Sequence, residues 1–575
     1  MRDHKVYVRN QESGWLRDLL LLAAVMAVPF IQYLGRLPLI DPDEGRYAEI
    51  PREMLERGDL ITPTLNYVLY FEKPPLLYWI NAASFKLFGL TEFAARLPSA
   101  LCGLATVLVT YAVARRLYSR RTALISALVL GTSAGFVLQS RIILTDMLVT
   151  LCLTAALGAF IVAGQGEKRR GSPFPWYLFW LFCALAVLAK GLIGIVFPVG
   201  IIFLYLLLTG RWRLLGEMRP LSGPVLFLAV AAPWFVAVSL RNPGFARFFF
   251  IHEHFERFTS TVHGRYQPFW FFLPVLLAAM LPWSFLIPGA LGRAWRDRHG
   301  RDGHAGLYLL IWAVVIFSFF SKSDSKLIPY ILPIFPPLAI LIGHRIDALL
   351  EGRGRGLTSA AAMLGLTLTV LGIACLGYAR LPEAAALLAG IRPGLADPLR
   401  QFALNAPPIG SGAAIVLAAL FLVQGLTCLI TAGRKPLGMV AMLCVCSFLL
   451  EILVPRLIMG AIATAESPRE LALKARSLAG PETRIVTFGP MQAVSWYTGR
   501  RVLVTGKPDE LEFGSKQGDQ SAWFPDHTAL LWLWASDTRV LIILKKTELD
   551  DLLPDLHPSP RVLAESGRRV LIANR

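Results

Sequence analysis

The strongest constraint on how this chain folds is a series of apolar runs, each about 17–25 residues long. With 55% hydrophobic residues and only 17% charged residues, the chain is too apolar for a soluble domain of this size. The segments on either side of Lys190 and Gly191 are either two helices or one bent helix. We therefore predict a polytopic α-helical membrane protein with about thirteen transmembrane helices. The runs lie near residues 16–35, 92–114, 122–139, 142–164, 175–190, 191–209, 223–240, 267–292, 305–321, 327–347, 357–379, 412–431 and 437–456.

Lysine and arginine recur in every second loop between these runs, which predicts the orientation of the chain. Basic residues concentrate in loops on the cytoplasmic side of membrane proteins, so the pattern predicts a cytoplasmic N-terminus and an outer C-terminus. The formal net charge of +18 is then explained by anchors at the inner leaflet, and we expect no nucleic-acid partner. The basic loops contain Arg115, Arg116, Arg120 and Arg121; Lys168, Arg169 and Arg170; Arg211, Arg213 and Arg219; Arg293, Arg296, Arg298 and Arg301; Arg345, Arg353 and Arg355; and Arg434 and Lys435.

The outer segments predict two domains. Residues 1–456 form a transmembrane catalytic domain with periplasmic loops at 36–91 and 241–266. Residues 457–575 have the composition of a soluble periplasmic domain, with short apolar runs typical of strands between charged, helical stretches, so we predict an α/β fold there. The seven cysteines all lie in apolar segments, which predicts neither a disulfide framework nor a thiolate metal site.

Acidic residues at two predicted helix starts are the first candidates for chemistry. The first outer loop opens with residues 41–47 (DPDEGRY). An aspartate there is either a helix cap or a functional acid, and we favour the cap for Asp41 while the sequence alone does not decide for Asp43. Asp146 enters a second apolar helix on the same face, where an ionisable group is a functional candidate. Alternatively, Asp146 forms a structural ion pair with Arg141.

Basic residues and histidines on the same face are the second set of candidates. Lys73, in residues 70–75 (YFEKPP), either holds a phosphate or extends to the interface, and residues 321–326 (SKSDSK) are either a third cationic cluster or a solvated turn. His252 and His254 are two positions apart and diverge on a helix, so a metal would need one histidine plus a carboxylate such as Glu72. Acids and cations from several loops fit a transferase that uses a lipid-phosphate donor. The chain has neither HExxH nor a P-loop, so we expect no metalloprotease and no nucleotide cofactor.

Five segments resemble the polyprenyl-phosphate-dependent glycosyltransferases of the GT-C fold. They are most similar to the lipid A aminoarabinose transferases, which are related to the protein O-mannosyltransferases. The resemblance covers most of the membrane part, whereas the C-terminal domain shares only the architecture. The segments are residues 41–49, 58–63 (GDLITP), 70–75, 253–258 (EHFERF) and 326–333 (KLIPYILP).

The resemblance implies both an activity and a set of site residues. The activity is transfer of 4-amino-4-deoxy-L-arabinose from undecaprenyl phosphate to a lipid A phosphate, on the periplasmic face of the bacterial inner membrane. The family's catalytic acids fall on Asp43 and Asp146, and whether Asp41 shares the role of Asp43 stays open. A divalent metal such as zinc would contact Glu72 and His254. The implied contacts to the lipid phosphate are Lys73, Arg46, Tyr47, Tyr70, Arg257 and Tyr330.

Two other functions remain open. The first is polyprenyl-phosphate-dependent transfer of another sugar, such as mannose, to a protein or glycan, for which Asp43 would act as a base on a hydroxyl group. The second is a lipid or sugar transporter. We disfavour the transporter because the acids cluster on one face rather than at the bilayer midplane, and because no repeated half is visible.

Overall fold

The computed structural model describes residues 14–165, 172–250, 266–300, 303–352, 357–381, 383, 409–431 and 435–575. Long apolar helices dominate the chain up to about residue 466, and a small mixed sheet follows. Among the described residues, nine helices have the length and composition to cross a membrane, and the number rises to eleven if two sharply bent helix pairs each form one span. Two shorter apolar helices, Phe174–Lys190 and Ile193–Thr209, complete the set.

The helices of the membrane part are numbered in chain order. The first half contains α1 (Trp15–Ile31), α2 (Asp43–Arg57), α3 (Leu76–Phe88), α4 (Glu92–Leu117), α5 (Arg120–Gly131), α6 (Ala134–Ser140), α7 (Thr145–Gly164), α8 (Phe174–Lys190) and α9 (Ile193–Thr209). The second half contains α10 (Leu214–Glu217), α11 (Ser222–Arg241), α12 (Phe272–Ala279), α13 (Ile287–Arg296), α14 (Gly303–Lys322), α15 (Phe335–Leu350), α16 (Leu357–Ala379), α17 (Ser411–Thr431) and α18 (Pro436–Val454). A hairpin of β1 (Thr64–Leu65) and β2 (Val68–Leu69) lies between α2 and α3.

Each predicted apolar run coincides with one of these helical segments, and the polytopic helical class is confirmed. The run 122–139 is broken, because α5 and α6 meet at an angle of 65°. The run 267–292 is broken more sharply, with 115° between its two parts. The segments around Lys190 and Gly191 form two helices, since α8 ends at Lys190 and the following Gly191 has a φ of 86°. A Cβ on Gly194 would lie 2.4 Å from the Val187 nitrogen, so glycine permits this close packing.

The C-terminal part contains a five-stranded sheet flanked by short helices, as predicted for an α/β fold. In spatial order the strands are β4 (Leu503–Thr505), β3 (Arg484–Phe488), β5 (Val540–Lys545), β7 (Arg569–Ala573) and β6 (Arg561–Ser566). Strand β3 pairs in parallel with β4 and β5, whereas β7 pairs antiparallel with β5 and β6. Strands β5 and β7 are buried almost throughout, which matches their continuous apolar sequence. The predicted boundary between residues 456 and 457 stays a prediction, because the last apolar helical stretch runs to Glu466. The elements are α19 (Gly460–Glu466), α20 (Arg469–Leu478), β3 (Arg484–Phe488), α21 (Gln492–Thr498), β4 (Leu503–Thr505), α22 (Glu512–Ser515), α23 (His527–Ala535), β5 (Val540–Lys545), α24 (Lys546–Leu552), β6 (Arg561–Ser566) and β7 (Arg569–Ala573).

The first loop is held against the C-terminal sheet domain by paired hydrogen bonds. At the tip of the β1–β2 hairpin, the Asn66 side chain donates to the Val502 carbonyl at 2.9 Å and accepts from the Val502 amide at 3.0 Å. Asn66 and Tyr67 both have positive φ, 52° and 61°, as a two-residue turn of type I′ requires. Nearer the start of the loop, the Leu39 amide donates to the Tyr497 hydroxyl at 2.8 Å. The loop that contains the predicted site is therefore fixed on two sides, by the membrane helices and by the sheet domain.

Candidate functional site

Helix α2 carries the DEGRY segment and is buried along most of its length, which is unusual for a helix so rich in charge. Its charges are paired. Glu44 and Arg96 form a fully buried ion pair at 2.6 Å, and Arg96 also donates to the carbonyl oxygens of Leu34, Leu37 and Pro38. Because a buried charge is costly unless it is paired and hydrogen-bonded, this arginine fixes the start of α2 to the end of the first membrane helix.

Arg46 is the centre of the first cluster of predicted site residues. Its buried guanidinium forms ion pairs with Asp43, one turn earlier in α2, and with Glu510 of the C-terminal domain. It also donates to the Tyr70 hydroxyl at 3.2 Å and lies 4.9 Å from the centre of the Tyr47 ring. Arg46 is almost inaccessible, whereas 44% of the Asp43 side chain is exposed. The arrangement is therefore an exposed carboxylate oriented by a fixed arginine.

Asp146 is the centre of the second cluster. It lies in the first turn of α7, is buried, and forms an ion pair with Lys190, the last residue of α8. The Lys190 ammonium also lies 4.6 Å from the centre of the Tyr330 ring. The alternative pairing of Asp146 with Arg141 is wrong. Arg141 instead donates to the carbonyl oxygens of residues 29, 30 and 32 and closes the end of α1.

Tyr47 links the two clusters. Burial is the main cause that raises the pKa of Tyr47, and the positive charge of Arg46 opposes it. The negative charges of Asp43, Asp146 and Glu72 raise this pKa as well. The three carboxylates from three separate segments are thus within electrostatic reach of one phenol. The structure brings together the acids and tyrosines that the sequence singled out.

Lys73 and Glu72 are neighbours in the segment between β2 and α3. Lys73 is largely buried, donates to the Glu72 carbonyl at 2.9 Å and lies 3.9 Å from the Glu72 carboxylate. Nearby, the Tyr47 ring stacks on the Tyr78 ring, with the ring centres 6.2 Å apart. Two predicted site residues, Arg257 and His254, lie outside the described residues.

The described ranges contain no group of three His, Cys, Asp or Glu side chains arranged to hold a metal ion. Of the two predicted ligands, only Glu72 falls within them, and an ammonium group lies beside its carboxylate. A neighbouring ammonium already compensates the charge that a metal cation would otherwise neutralise. The described residues do not by themselves form a site that fits zinc, and we assign no chemical step to a metal.

Asp41 does not cap its own helix, so the favoured prediction for this residue is wrong. The α2 N-terminus has no side-chain cap, and Asp41 Oδ1 instead accepts a hydrogen bond from the Ala493 amide at 2.9 Å. The other oxygen, Oδ2, is buried and has no hydrogen-bond partner among the described residues. Burial raises the pKa of Asp41 to about 7. A Cβ on Gly45 would lie 2.4 Å from the Ala493 nitrogen, so this glycine lets the first loop approach the C-terminal domain closely.

Two cavities open beside these residues. The smaller, of about 200 Å³, is lined by five charged residues and five apolar ones; the charged ones are Asp41, Asp43, Glu44, Arg96 and Arg141, and Met459 is among the apolar ones. The larger, of about 470 Å³, also reaches Arg141 and Met459, but its wall is otherwise mostly apolar and is formed by α6, α12, the segment before α15 and α18. A polar chamber at the acids thus adjoins an apolar one among the membrane helices.

The third predicted cationic segment, residues 321–326, is an internally bonded turn rather than an open cluster. Lys326 is buried and donates to the carbonyl oxygens of Gln267 and Ser323. These bonds tie the end of α14 to the segment that follows residue 265. Lys326 therefore has a positioning role in the described structure.

The sequence reasoning missed two charged residues of the site. In the sequence, Lys190 marked only a possible junction between two helices, although a lysine at the end of an apolar run is itself a signal of function. Glu510 carried no signal, because its partner Arg46 is close only after the C-terminal domain has packed on α2.

Two family models match this chain. Residues 19–249 match the dolichyl-phosphate-mannose-protein mannosyltransferase family, and residues 471–574 match the aminoarabinose transferase C-terminal domain. An undecaprenyl phosphate-alpha-4-amino-4-deoxy-L-arabinose arabinosyl transferase from Erwinia tasmaniensis is 32% identical over 569 residues, which covers 97% of this chain and 98% of that protein. The chain belongs to this family of arabinosyl transferases.

Other relatives agree with this membership. The arabinosyl transferase from Aeromonas salmonicida is 39% identical over 346 residues, covering 60% of this chain and 62% of the relative. Among solved structures, ArnT from Cupriavidus metallidurans bound to undecaprenyl phosphate has a TM-score of 0.80 and 29% identity, with 98% of each chain covered. The oligosaccharyltransferase from Archaeoglobus fulgidus, at 13% identity and a TM-score of 0.50, covers 87% of this chain and 64% of that one, and shows a likeness of fold only. The expected resemblance to GT-C glycosyltransferases is confirmed.

Proposed function

We propose that this protein transfers 4-amino-4-deoxy-L-arabinose from undecaprenyl phosphate to a phosphate group of lipid A. The observation that carries the proposal is the likeness, over 98% of both chains, to an ArnT structure that holds undecaprenyl phosphate. The clustered acids and cations of α2, α7 and α8 are the chemistry that such a transfer needs. In the reaction, an oxygen of the acceptor phosphate forms a bond to the anomeric carbon, and the bond from that carbon to undecaprenyl phosphate breaks.

Asp43 is assigned to orientation rather than to proton removal. A phosphate acceptor is already ionised at neutral pH and requires no base. The exposed Asp43 carboxylate, held by the buried Arg46, is placed to bind the cationic amine of the sugar or to orient the acceptor. Tyr47 and Tyr70 contact Arg46 and keep its guanidinium in one position.

The departing lipid phosphate requires positive charge, and Lys73 is assigned to that role. Its ammonium lies 3.9 Å from the Glu72 carboxylate, in the segment that directly follows Tyr70 and Phe71. A fixed cation near the leaving oxygen stabilises the charge that develops as the bond breaks. Arg257 stays a candidate for a second contact, and Tyr330 orients Lys190, which in turn holds Asp146.

The apolar cavity of about 470 Å³ is assigned to lipid chains. Its wall is mostly aliphatic, whereas Gln139, Gln424 and Glu451 add polar side chains. It adjoins the polar chamber at Arg141, so an amphipathic substrate could place its head at the acids and its chain among the helices.

The protein would act in the bacterial inner membrane, with a cytoplasmic N-terminus and the C-terminal domain in the periplasm. A reporter fused to residue 575 that is active only in the periplasm tests this orientation.

Mass spectrometry of lipid A from a host that lacks its own transferase tests the activity. Expression of the wild-type chain should add the mass of one aminoarabinose. The Asp43→Asn and Asp146→Asn variants should each abolish most of this gain, and Asp43→Asn should do so at an unchanged melting temperature, whereas the matched control Asp550→Asn, at an exposed position of α24, should keep it. Full modification by either site variant would remove that residue from the assignment.

Transfer of another sugar to a protein is the second candidate, and the match of residues 19–249 to a protein mannosyltransferase model favours it. A serine or threonine acceptor must lose a proton, so Asp43 would then act as a base. Unmodified lipid A together with a glycosylated protein in the same cells would support this alternative. The predicted metal at Glu72 and His254 is tested separately, since a zinc content that is equal in wild type and Glu72→Gln would exclude this site.

A further inference from the structure

The C-terminal domain contains a cavity lined by three arginines that the proposed reaction does not use. It has a volume of about 420 Å³ and opens between the sheet and the first loop. Arg484, Arg500 and Arg501 line it together with two aromatic residues, Tyr67 and Trp523. None of the residues that hold Asp43 or Asp146 borders it, so the cavity is a separate chamber.

The parallel sheet explains why the arginines converge. Strands β3 and β4 pair with Val486 opposite Leu503, and this register places residue 484 opposite residue 501. The amino ends of two neighbouring parallel strands thus present their arginines side by side. Arg500 follows directly from the turn at Gly499, whose φ of 65° ends α21.

The positive charge of the cavity is not balanced by direct ion pairs. Within the described ranges, none of the three arginines has a carboxylate oxygen within 4.0 Å, although most charged residues of α2 do. Arg500 donates to the Gly480 carbonyl at 2.8 Å, and Arg501 donates to the Gln520 side-chain oxygen at 2.6 Å. Arg501 Nε is buried and has no hydrogen-bond partner in the described part of the chain. Glu53 is the carboxylate within electrostatic reach of Arg501, and it makes no direct contact with it. Three arginines without a direct ion pair around a concave surface attract an anion.

Two aromatic side chains, Trp523 and Tyr67, add flat apolar surface to the cavity. The Arg501 guanidinium lies 4.2 Å from the centre of the Trp523 ring, and Arg484 lies 6.0 Å from it. The Trp523 carbonyl accepts from the Val504 amide at 2.9 Å, which fixes this segment to β4. On the opposite side, Tyr67 is held by a hydrogen bond from its hydroxyl to Glu56 at 2.6 Å. Rigid rings beside an anion site provide flat apolar surface, which suits the face of a sugar ring.

We propose that this cavity binds a phosphorylated saccharide, with the phosphate on Arg500 and Arg501 and the sugar against Trp523 and Tyr67. Resting on the proposed function, the ligand is a phosphate-bearing sugar of the acceptor glycolipid, distinct from the phosphate that receives aminoarabinose. The β1–β2 hairpin connects the two sites, because Tyr67 lies in its turn and Tyr70 follows its second strand. The C-terminal domain would thereby select the acceptor.

Calorimetry on the full-length protein in detergent tests binding directly. The probes are N-acetylglucosamine 1-phosphate, neutral N-acetylglucosamine and inorganic phosphate. The sugar phosphate should bind most tightly, and Arg500→Ala and Arg501→Ala should each weaken it about 10-fold or more, the effect of losing one charged hydrogen bond. The matched control is Arg561→Ala, which removes an exposed arginine of β6 and should bind like wild type.

Transfer kinetics separate this proposal from the proposed function. Arg500→Ala should raise the KM for lipid A about 10-fold while leaving kcat and the KM for the lipid-phosphate donor unchanged. A wild-type protein that transfers nothing would overturn the proposed function, yet the calorimetry would still decide whether the cavity binds the probe. Equal affinity for inorganic phosphate and sugar phosphate would overturn the saccharide assignment. Binding that is unaffected in both arginine variants, with unchanged melting temperatures, would overturn the site itself.

Discussion

Replacement of Asp41 by asparagine tests the electrostatics of the contact between the first loop and the C-terminal domain. Asp41 Oδ1 accepts a hydrogen bond from the Ala493 amide, and Oδ2 is buried without a partner in the described structure. Asparagine keeps the accepting oxygen and nearly the same shape, but it never carries a charge. The substitution therefore removes the titration of this side chain and leaves the hydrogen bond in place.

The sign of the effect follows from the raised pKa. Burial raises the pKa of Asp41 from 3.8 to about 7 in the folded protein. Between these values the unfolded chain releases its proton while the folded chain retains it, so wild-type stability falls as pH rises from about 4 to about 7 and then levels off. A difference of about 3 pKa units corresponds to about 4 kcal/mol at most.

Thermal unfolding of the purified protein in detergent, measured from pH 4 to pH 8.5, provides the assay. Other titrating groups act equally in both proteins, so the difference between Asp41→Asn and wild type isolates Asp41. The two proteins should unfold at similar temperatures near pH 4, and the variant should be the more stable one above pH 7. The matched control, Asp550→Asn at an exposed position, should follow wild type throughout. A difference that stays constant across the range would refute the reasoning about burial.

Three further substitutions probe other contacts. Asn66→Ala removes both hydrogen bonds to Val502 and should destabilise the packing of the hairpin by about 2–3 kcal/mol, measured as faster proteolytic release of the C-terminal domain. Lys190→Met leaves the Asp146 carboxylate buried without its ammonium, at a cost of about 3–5 kcal/mol; a folded yield and melting temperature equal to those of wild type would contradict the pairing. Arg96→Lys cannot reproduce the branched set of bonds to a carboxylate and three carbonyls, so the melting temperature should fall by several degrees.

The membrane part could be predicted from the sequence because its signal is local. Each apolar run is long enough to need no information from the rest of the chain, and all of them became helices. The breaks were harder to predict. The bend between α5 and α6 falls at Thr132 and Ser133, whose hydroxyl groups donate to the carbonyls of residues 128 and 129 one turn earlier. These residues are compatible with a continuous helix, so composition alone did not predict the bend.

The candidate acids could be identified from the sequence, whereas their charged partners could not. Asp43 and Asp146 both lie near helix starts that follow apolar segments, and this position identified them as candidates. Their partners depend on tertiary packing: Asp146 had Arg141 five positions away and pairs instead with Lys190 from the next helix. Asp41 looked like a cap because its spacing fits one, but an amide of a distant domain competes for the same oxygen. Local patterns identify a charged side chain, whereas only the folded chain selects its partner.

The ion pair of Arg46 with Glu510 ties the order of synthesis to the completion of the site. Helix α2 is translated early, whereas Glu510 is translated only after all the long apolar helices. Until Glu510 is made, Asp43 is the one charged partner of Arg46 among those described. A nascent or truncated chain that already sits in the membrane would therefore hold Arg46 through Asp43 alone. On the proposed role of Asp43, the C-terminal domain is the last part of the site to be made, and transfer begins only after this domain has packed on α2.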